Sequence, residues 1–148
     1  SQGFKTLLCG GPSESEKQLG KDIQDLATAP IESLIGKTSL KQMLALLKRA
    51  SLVIAPDTGP AHMAVTQGTP VIGLYAHSNP KRTGPYLYQD YIVEVYHKHL
   101  LKQHHKTDSQ LPWGTRIKGK NLMEDISVDD VIEQFDRICA DFEYISTS

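Results

Sequence analysis

Short apolar runs closed by Gly or Pro alternate along the chain with longer stretches whose apolar residues recur every three or four positions. Lys5–Cys9 is one such run and meets Gly10-Gly11-Pro12, which predicts a buried strand ending in a turn. Ser13 with Glu16 three residues on fits a capping box, each side chain satisfying the other's free backbone N–H. The helix it opens carries Leu19, Ile23 and Leu26 on one face. A second run, Ile31–Ile35, closes on Gly36. Thr38 or Ser39 can cap the next helix, where Leu40, Met43, Leu44 and Leu47 form a stripe. Leu52–Ala55, ended by Pro56, is the third run, and Val71–Tyr75 and Tyr91–Tyr96 are the fourth and fifth. Between the third and fourth, a short helix from about Pro60 to Gln67 stops at Gly68. From His97 to about Asn121 the periodicity disappears, which reads as a loop. Ser127, with Asp130 at the third position, then caps a last helix with Val128, Val131, Ile132, Phe135, Ile138, Cys139 and Phe142 on one face.

Strand and helix patterns that alternate on connections of a few residues predict right-handed βαβ units. The expected fold is α/β, a Rossmann-like parallel sheet with helices on both faces.

The 148 residues and 39% apolar content fit one domain with a real core. Sixteen Lys and Arg against seventeen Asp and Glu remove the electrostatic signature of a nucleic-acid binder. No apolar stretch is long enough to span a bilayer, and Ser1–Lys5 shows no secretory pattern. Cys9 and Cys139 sit far apart within apolar patterns and read as buried thiols of a reducing, cytosolic compartment. Charge is unevenly spread: His97–Asn121 carries +5 and Glu124–Glu143 carries −7. That polarity reads as a solvated helix face beside a basic loop.

Ligands bind open parallel sheets outside the carboxyl ends of the strands. Three segments fall there: residues 10–14, 56–62 and 76–80. The middle one is the most informative. A strand hands over to Asp57-Thr58-Gly59 and a helix begins at once, with unpartnered N–H groups and the positive end of its dipole. Gly59 lets an oxygen-rich ligand approach the backbone, Thr58 offers a hydroxyl, and His62 lies in the first turn, so the junction suits phosphate. The same spacing is also met if Asp57 or Thr58 merely caps the helix. Gly10-Gly11 could admit a ligand or simply turn the chain. Glu14 and Glu16 could accept hydrogen bonds from ribose hydroxyls, Glu16 competing with its cap. A lone D-T-G lacks the second carboxylate an aspartic protease needs. The histidines at 77, 97, 99, 104 and 105 lack the spacing of zinc enzymes, so no metal site is expected. The absence of G-x-G-x-x-G and of G-x-x-x-x-G-K-[ST] disfavours a nicotinamide dehydrogenase and a P-loop NTPase.

Read together, L-L-C-G-G-P-S-E-S-E-K (7–17), I-G-K-T-S-L-K-Q-M-L-A-L-L-K-R-A-S-L-V-I-A-P-D-T-G-P-A-H-M-A (35–64), G-T-P-V-I-G-L-Y (68–75) and S-N-P-K-R-T-G-P-Y (78–86) resemble glycosyltransferase family 9, the ADP-heptose:lipopolysaccharide heptosyltransferases. The resemblance spans roughly residues 4 to 145 and is specific because four motifs occur in order. It implies the C-terminal half of a GT-B glycosyltransferase. Residues 1–148 would be a single nucleotide-sugar (donor) binding domain, with the N-terminal acceptor domain absent from this chain and the fragment alone inactive. Position by position, Asp57, Thr58, Gly59 and His62 match the D-[ST]-G-x-x-H segment that holds the donor diphosphate and sugar. Thr38, Ser39 and Leu40 match the segment against the adenosine. Glu14 or Glu16 matches the ribose-binding glutamate. Nothing carries over to His97–Lys120.

The implied reaction is inverting and metal-independent: an L-glycero-D-manno-heptosyl group moves from ADP-heptose to the lipopolysaccharide inner core. His62 and Asp57 are the catalytic candidates, and no cofactor is expected beside the donor substrate. The implied partners are the nucleotide-sugar donor and, through the N-terminal domain, the lipopolysaccharide core acceptor. No nucleic acid is expected. The implied location is the cytoplasm, with at most peripheral contact at the inner face of the inner membrane. Two alternatives stay open: the donor domain of another GT-B enzyme such as a nucleotide-sugar epimerase, and a non-catalytic interaction domain.

Overall fold

Among the described residues every strand pairing is parallel, and each needs a crossover that a hairpin does not supply. The computed structural model describes residues 3–84 and 87–144. Pro85 and Tyr86, the end of the 78–86 motif, lie outside the described residues, as do Ser1, Gln2 and 145–148. The elements are β1 (Thr6–Leu8), α1 (Glu14–Leu26), β2 (Ile31–Ser33), α2 (Leu40–Arg49), β3 (Val53–Pro56), α3 (Gly59–Thr66) and β4 (Val71–Tyr75). They continue as α4 (Pro80–Thr83), β5 (Ile92–Glu94), α5 (Tyr96–His104) and α6 (Val128–Asp141). The chain divides into two compact units, 1–45 and 46–148. β1 and β2 form a two-stranded sheet, and the order in the second sheet is β3-β4-β5.

In the first unit, α1 starts as its sequence dictates. The Ser13 hydroxyl accepts from the Glu16 amide at 3.3 Å and donates to the Glu16 carboxylate at 2.6 Å. The stripe of α1 does not turn inward as expected. Leu19 and Ile23 are exposed and Leu26 is 83% exposed, while Gly20 is the buried position. A Cβ at residue 20 would collide with the Ile35 side chain, so the helix approaches its neighbour over a bare backbone. Cys9 is also exposed, against expectation, because β1 ends before it.

In the second unit β4 is the most buried strand, with Val71 and Ile72 fully enclosed. Ile72, Val93 and Ile138 form one core cluster, with Leu52, Leu74, Val131 and Phe135 packed against it. Ser127 caps α6, its hydroxyl accepting from the Asp130 amide at 3.1 Å. Of the predicted α6 stripe, Ile138 and Cys139 are buried, whereas Val128 and Ile132 face solvent. Leu40 of α2 is exposed as well, while Met43 and Leu47 are buried.

The stretch after His97 is not the loop the lost periodicity suggested. Its first part is α5, which buries Tyr96, His99 and Leu100 at i, i+3 and i+4. A buried histidine in the middle position hid the stripe. Tyr96, Leu100, Ile117, Leu122 and Ala76 form a second core cluster beneath the segment.

His97 ties this segment to the sheet. Its Nδ1 lies 2.8 Å from Glu94 Oε1 and its Nε2 3.2 Å from Asp108 Oδ2, which also receives Lys81 Nζ at 3.3 Å. Burial pushes the imidazole down, but the hydrogen bonds and charges of Glu94 and Asp108 outweigh it and hold His97 above its ordinary value. Asp108 is held below the usual carboxylate range, first by His97 and then by Lys81. The His97 contribution is complete below the ordinary imidazole pKa and is lost as pH rises through the raised folded value. That of Asp108 is complete above the ordinary carboxylate pKa and is lost as pH falls through its lowered one. Thermal melts from acid to alkaline pH should therefore show wild type losing an advantage over His97→Gln as pH rises past neutrality. Parallel pH profiles would contradict the clip. Ile138→Ala, which empties a fully buried position, should cost about 3 kcal/mol in urea unfolding, and Val128→Ala under about 0.5.

Candidate functional site

The junction between β3 and α3 is where chemistry-bearing side chains gather. β3 pairs with β4 in a register that sets Pro56 opposite Leu74, so the carboxyl ends of both strands emerge side by side. Asp57 follows the first and Ser78 follows the second. The Ser78 hydroxyl donates to Asp57 Oδ2 at 2.7 Å, while Asp57 Oδ1 faces His62 Nε2 at 3.6 Å. The Tyr75 hydroxyl is pushed up to about 12, by burial first and then by the Asp57 carboxylate. Ser78 and Asn79 are both buried, and Asn79 caps α4 by accepting from the Lys81 amide at 3.0 Å. The segment at 76–80 was legible as a strand end. That Ser78 fixes Asp57 was not, because the pairing register alone brings the two together.

Thr58 occupies the N-cap position of α3 with no side-chain cap bond. Its hydroxyl donates backwards to the Pro56 carbonyl at 3.3 Å, and Pro60 brings no N–H. The N-cap side chain therefore leaves this end uncapped, and the first turn of α3 holds no acidic residue. A Cβ added at Gly59 would meet nothing within 4 Å, so the space before the helix is open. The His62 side chain is 51% exposed and that of Asp57 22%. An anion could reach the Gly59 amide here, with the helix dipole favouring it and His62 alongside; Ala61 is fully buried and the His62 amide donates to Thr58 O at 3.5 Å. The simple-cap reading of Thr58 does not describe this geometry.

Among the first unit's candidates, Glu16 is committed to its own turn. One carboxylate oxygen accepts from the Gly11 amide at 3.0 Å and the other from Ser13. These bonds, Ser13 first, hold it below the usual carboxylate range. A Cβ at Gly11 would sit 2.8 Å from Glu16 Oε2, which explains the glycine structurally. Glu14 is exposed and accepts from Lys17 Nζ at 3.2 Å. Ser39 caps α2 in a reciprocal pair, accepting from the Gln42 amide at 3.2 Å while Gln42 Oε1 accepts from Ser39 N at 2.8 Å. Thr38 is half-buried, and Leu40 is exposed at the start of α2. Among the described residues, no group of three or more His, Cys, Asp or Glu could hold a metal ion.

The arrangement belongs to a known class of fold. The glycosyl transferase family 9 protein from Veillonella parvula DSM 2008 matches with a TM-score of 0.68 and 24% identity over 94% of this chain and 38% of that one. E. coli ADP-heptose lps heptosyltransferase II matches with a TM-score of 0.67 and 23% identity over 95% and 38%. The fold is thus a parallel α/β fold shared with these two proteins. The family model described as glycosyltransferase family 9 (heptosyltransferase) matches residues 1–113. The lipopolysaccharide core heptosyltransferase OpsX of Haemophilus influenzae is 46% identical over 135 residues, covering 91% of this chain and 39% of that protein. The chain belongs to glycosyltransferase family 9. A lipopolysaccharide heptosyltransferase 3 of Escherichia coli is 33% identical over 76 residues, or 51% of this chain and 22% of that one. The chain therefore spans about two fifths or less of the length of these relatives.

Glu16→Ala should release the Gly11 and Ser13 bonds and loosen the start of α1. Hydrogen exchange at the amides of 14–18 should speed accordingly. Gly59→Ala should leave the melting temperature unchanged, since a methyl group there fills open space.

Proposed function

We propose that this chain is the donor-binding domain of an inverting heptosyltransferase that passes heptose from ADP-heptose to the lipopolysaccharide inner core. The observation that carries the reading is the uncapped start of α3, open to solvent at Gly59 and flanked by His62. As the glycosidic bond to phosphate breaks, negative charge grows on the ADP leaving group. The Gly59 amide, the helix dipole and the His62 ring oppose that charge without reorganising. Loss of one such donor costs on the order of 3 kcal/mol in the barrier. A metal ion is not required for this stabilisation.

Asp57 plays a different part. One oxygen is held by Ser78 and its charge disfavours contact with phosphate, so it orients the donor sugar hydroxyls or fixes the loop. Thr58 contributes backbone and hydroxyl beside the diphosphate. The acceptor enters through an N-terminal domain carried by the full-length enzyme. That enzyme works in the cytoplasm, at the inner face of the inner membrane; no helix of the described residues is long and apolar enough to cross a bilayer.

Titration with ADP, followed by amide NMR, should move residues 57–62 at millimolar ligand, and UDP should move them less. Unmoved amides would remove the donor site. Equal response to UDP would favour another GT-B activity. In the full-length enzyme, His62→Ala should lower kcat more than it raises KM; the reverse would make His62 a ground-state contact.

A further inference from the structure

The two side chains best placed to cover the start of α3 are both tied away from it. An aspartate side chain reaches the backbone amide two residues on, the bond of an Asx-turn. For Asp57 that amide belongs to Gly59. The helix dipole draws a carboxylate to the same place. Yet Asp57 Oδ2 accepts from the Ser78 hydroxyl at 2.7 Å. Its Oδ1 faces His62 Nε2 at 3.6 Å, too far for a hydrogen bond. Thr58, at the N-cap position, sends its hydroxyl back to the Pro56 carbonyl at 3.3 Å.

The hold on Asp57 is itself firmly mounted. Ser78 is 5% exposed and stands between two anchored neighbours. On one side the Ile117 amide donates to the His77 carbonyl at 2.9 Å. His77 Nδ1 lies 3.0 Å from the Ile117 carbonyl, so Nδ1 carries the proton, because a carbonyl only accepts. On the other side Asn79 accepts from the Lys81 amide at 3.0 Å and caps α4. Ile117 is buried in the second core cluster, so the segment beyond β5 braces the loop that carries Ser78. A carboxylate only accepts, which puts the Ser78 proton on Asp57. A charge-assisted bond of this length is among the stronger ones.

We propose that Ser78 is a positioning residue of the donor site. It acts through Asp57, holding the carboxylate off the Gly59 amide so that a diphosphate finds that donor free. The inference rests on the donor reading and adds to it a group that touches no ligand. Without the Ser78 hydroxyl, Asp57 turns onto the amide two residues on, and the chain's own carboxylate occupies the helix start. A diphosphate then binds only the molecules whose amide is still free, and its affinity falls by that fraction. A hydrogen bond to a charged group is strong enough to bring the free fraction to about one in ten.

Amide hydrogen exchange and calorimetry on this chain test the proposal, with Ser78→Ala, Asp57→Ala and the double variant. Without ligand, the Gly59 amide should exchange about tenfold more slowly in Ser78→Ala than in wild type. The double variant should return to the wild-type rate. ADP and inorganic pyrophosphate should each bind Ser78→Ala about tenfold more weakly than wild type. Adding Asp57→Ala should recover that loss, which removal of a second side chain does not do for a loosened loop. The amide spectrum of Ser78→Ala outside residues 57–62 should superpose on that of wild type. The proposal is overturned by equal Gly59 exchange in wild type and Ser78→Ala, or by a double variant that binds as weakly as Ser78→Ala. A spectrum altered throughout also overturns it, since Ser78 is then a structural residue alone. A wild-type chain that binds neither ADP nor pyrophosphate overturns the donor reading, whereas the Gly59 exchange rates judge the hold on Asp57 without any ligand.

Discussion

Parallel pairing of β3 with β4 is the constraint from which the site follows. Two parallel strands must both end on the same edge of their sheet, and the residues just past those ends are forced into one neighbourhood. Here those residues are Asp57 and Ser78, 21 positions apart in sequence and joined by a 2.7 Å hydrogen bond. The crossover between the strands is α3, so the same pairing aims the start of that helix at the same edge. A carboxylate fixed by a serine, an uncapped helix start and a histidine in its first turn are consequences of one strand register.

The polar groups at this edge divide the work by charge. The Gly59 amide at the start of α3 and His62 are the part that attracts an anion. Asp57 repels one and is held aside by Ser78, leaving one oxygen toward His62. Burial raises the Tyr75 hydroxyl so that it stays neutral near the carboxylate. The basic segment beyond β5 is built on a separate principle. It is held to the sheet by His97 between two carboxylates and by Ile117 against His77, which leaves its cations and its tryptophan to solvent.

Much of this was legible in the sequence. β4 was bounded correctly at Val71–Tyr75, since its run is closed by Pro70 before and Ala76-His77 after. The caps at Ser13 and Ser127 and the start of α3 follow from local backbone needs that sequence carries directly. The misses have a common physical origin. Leu19, Ile23, Leu26, Val128 and Ile132 sit at core-like spacing but are exposed, because periodicity says which residues share a face and not what that face meets. α5 was missed because His99 stands where an apolar residue would signal a helix, while packing still buries it. Ser78 and Tyr75 were missed as site residues because their role depends on register between strands. Glu16 was weighed as a ribose ligand, and only its bonds to Gly11 and Ser13 show how fully its turn occupies it.

The central claim is that the bare start of α3 grips a nucleotide's diphosphate. A crystal structure of this chain with ADP bound tests it most directly. The account predicts a diphosphate oxygen within about 3 Å of the Gly59 amide, with the His62 ring alongside. A diphosphate seated elsewhere, with the α3 start still open to solvent, would contradict it.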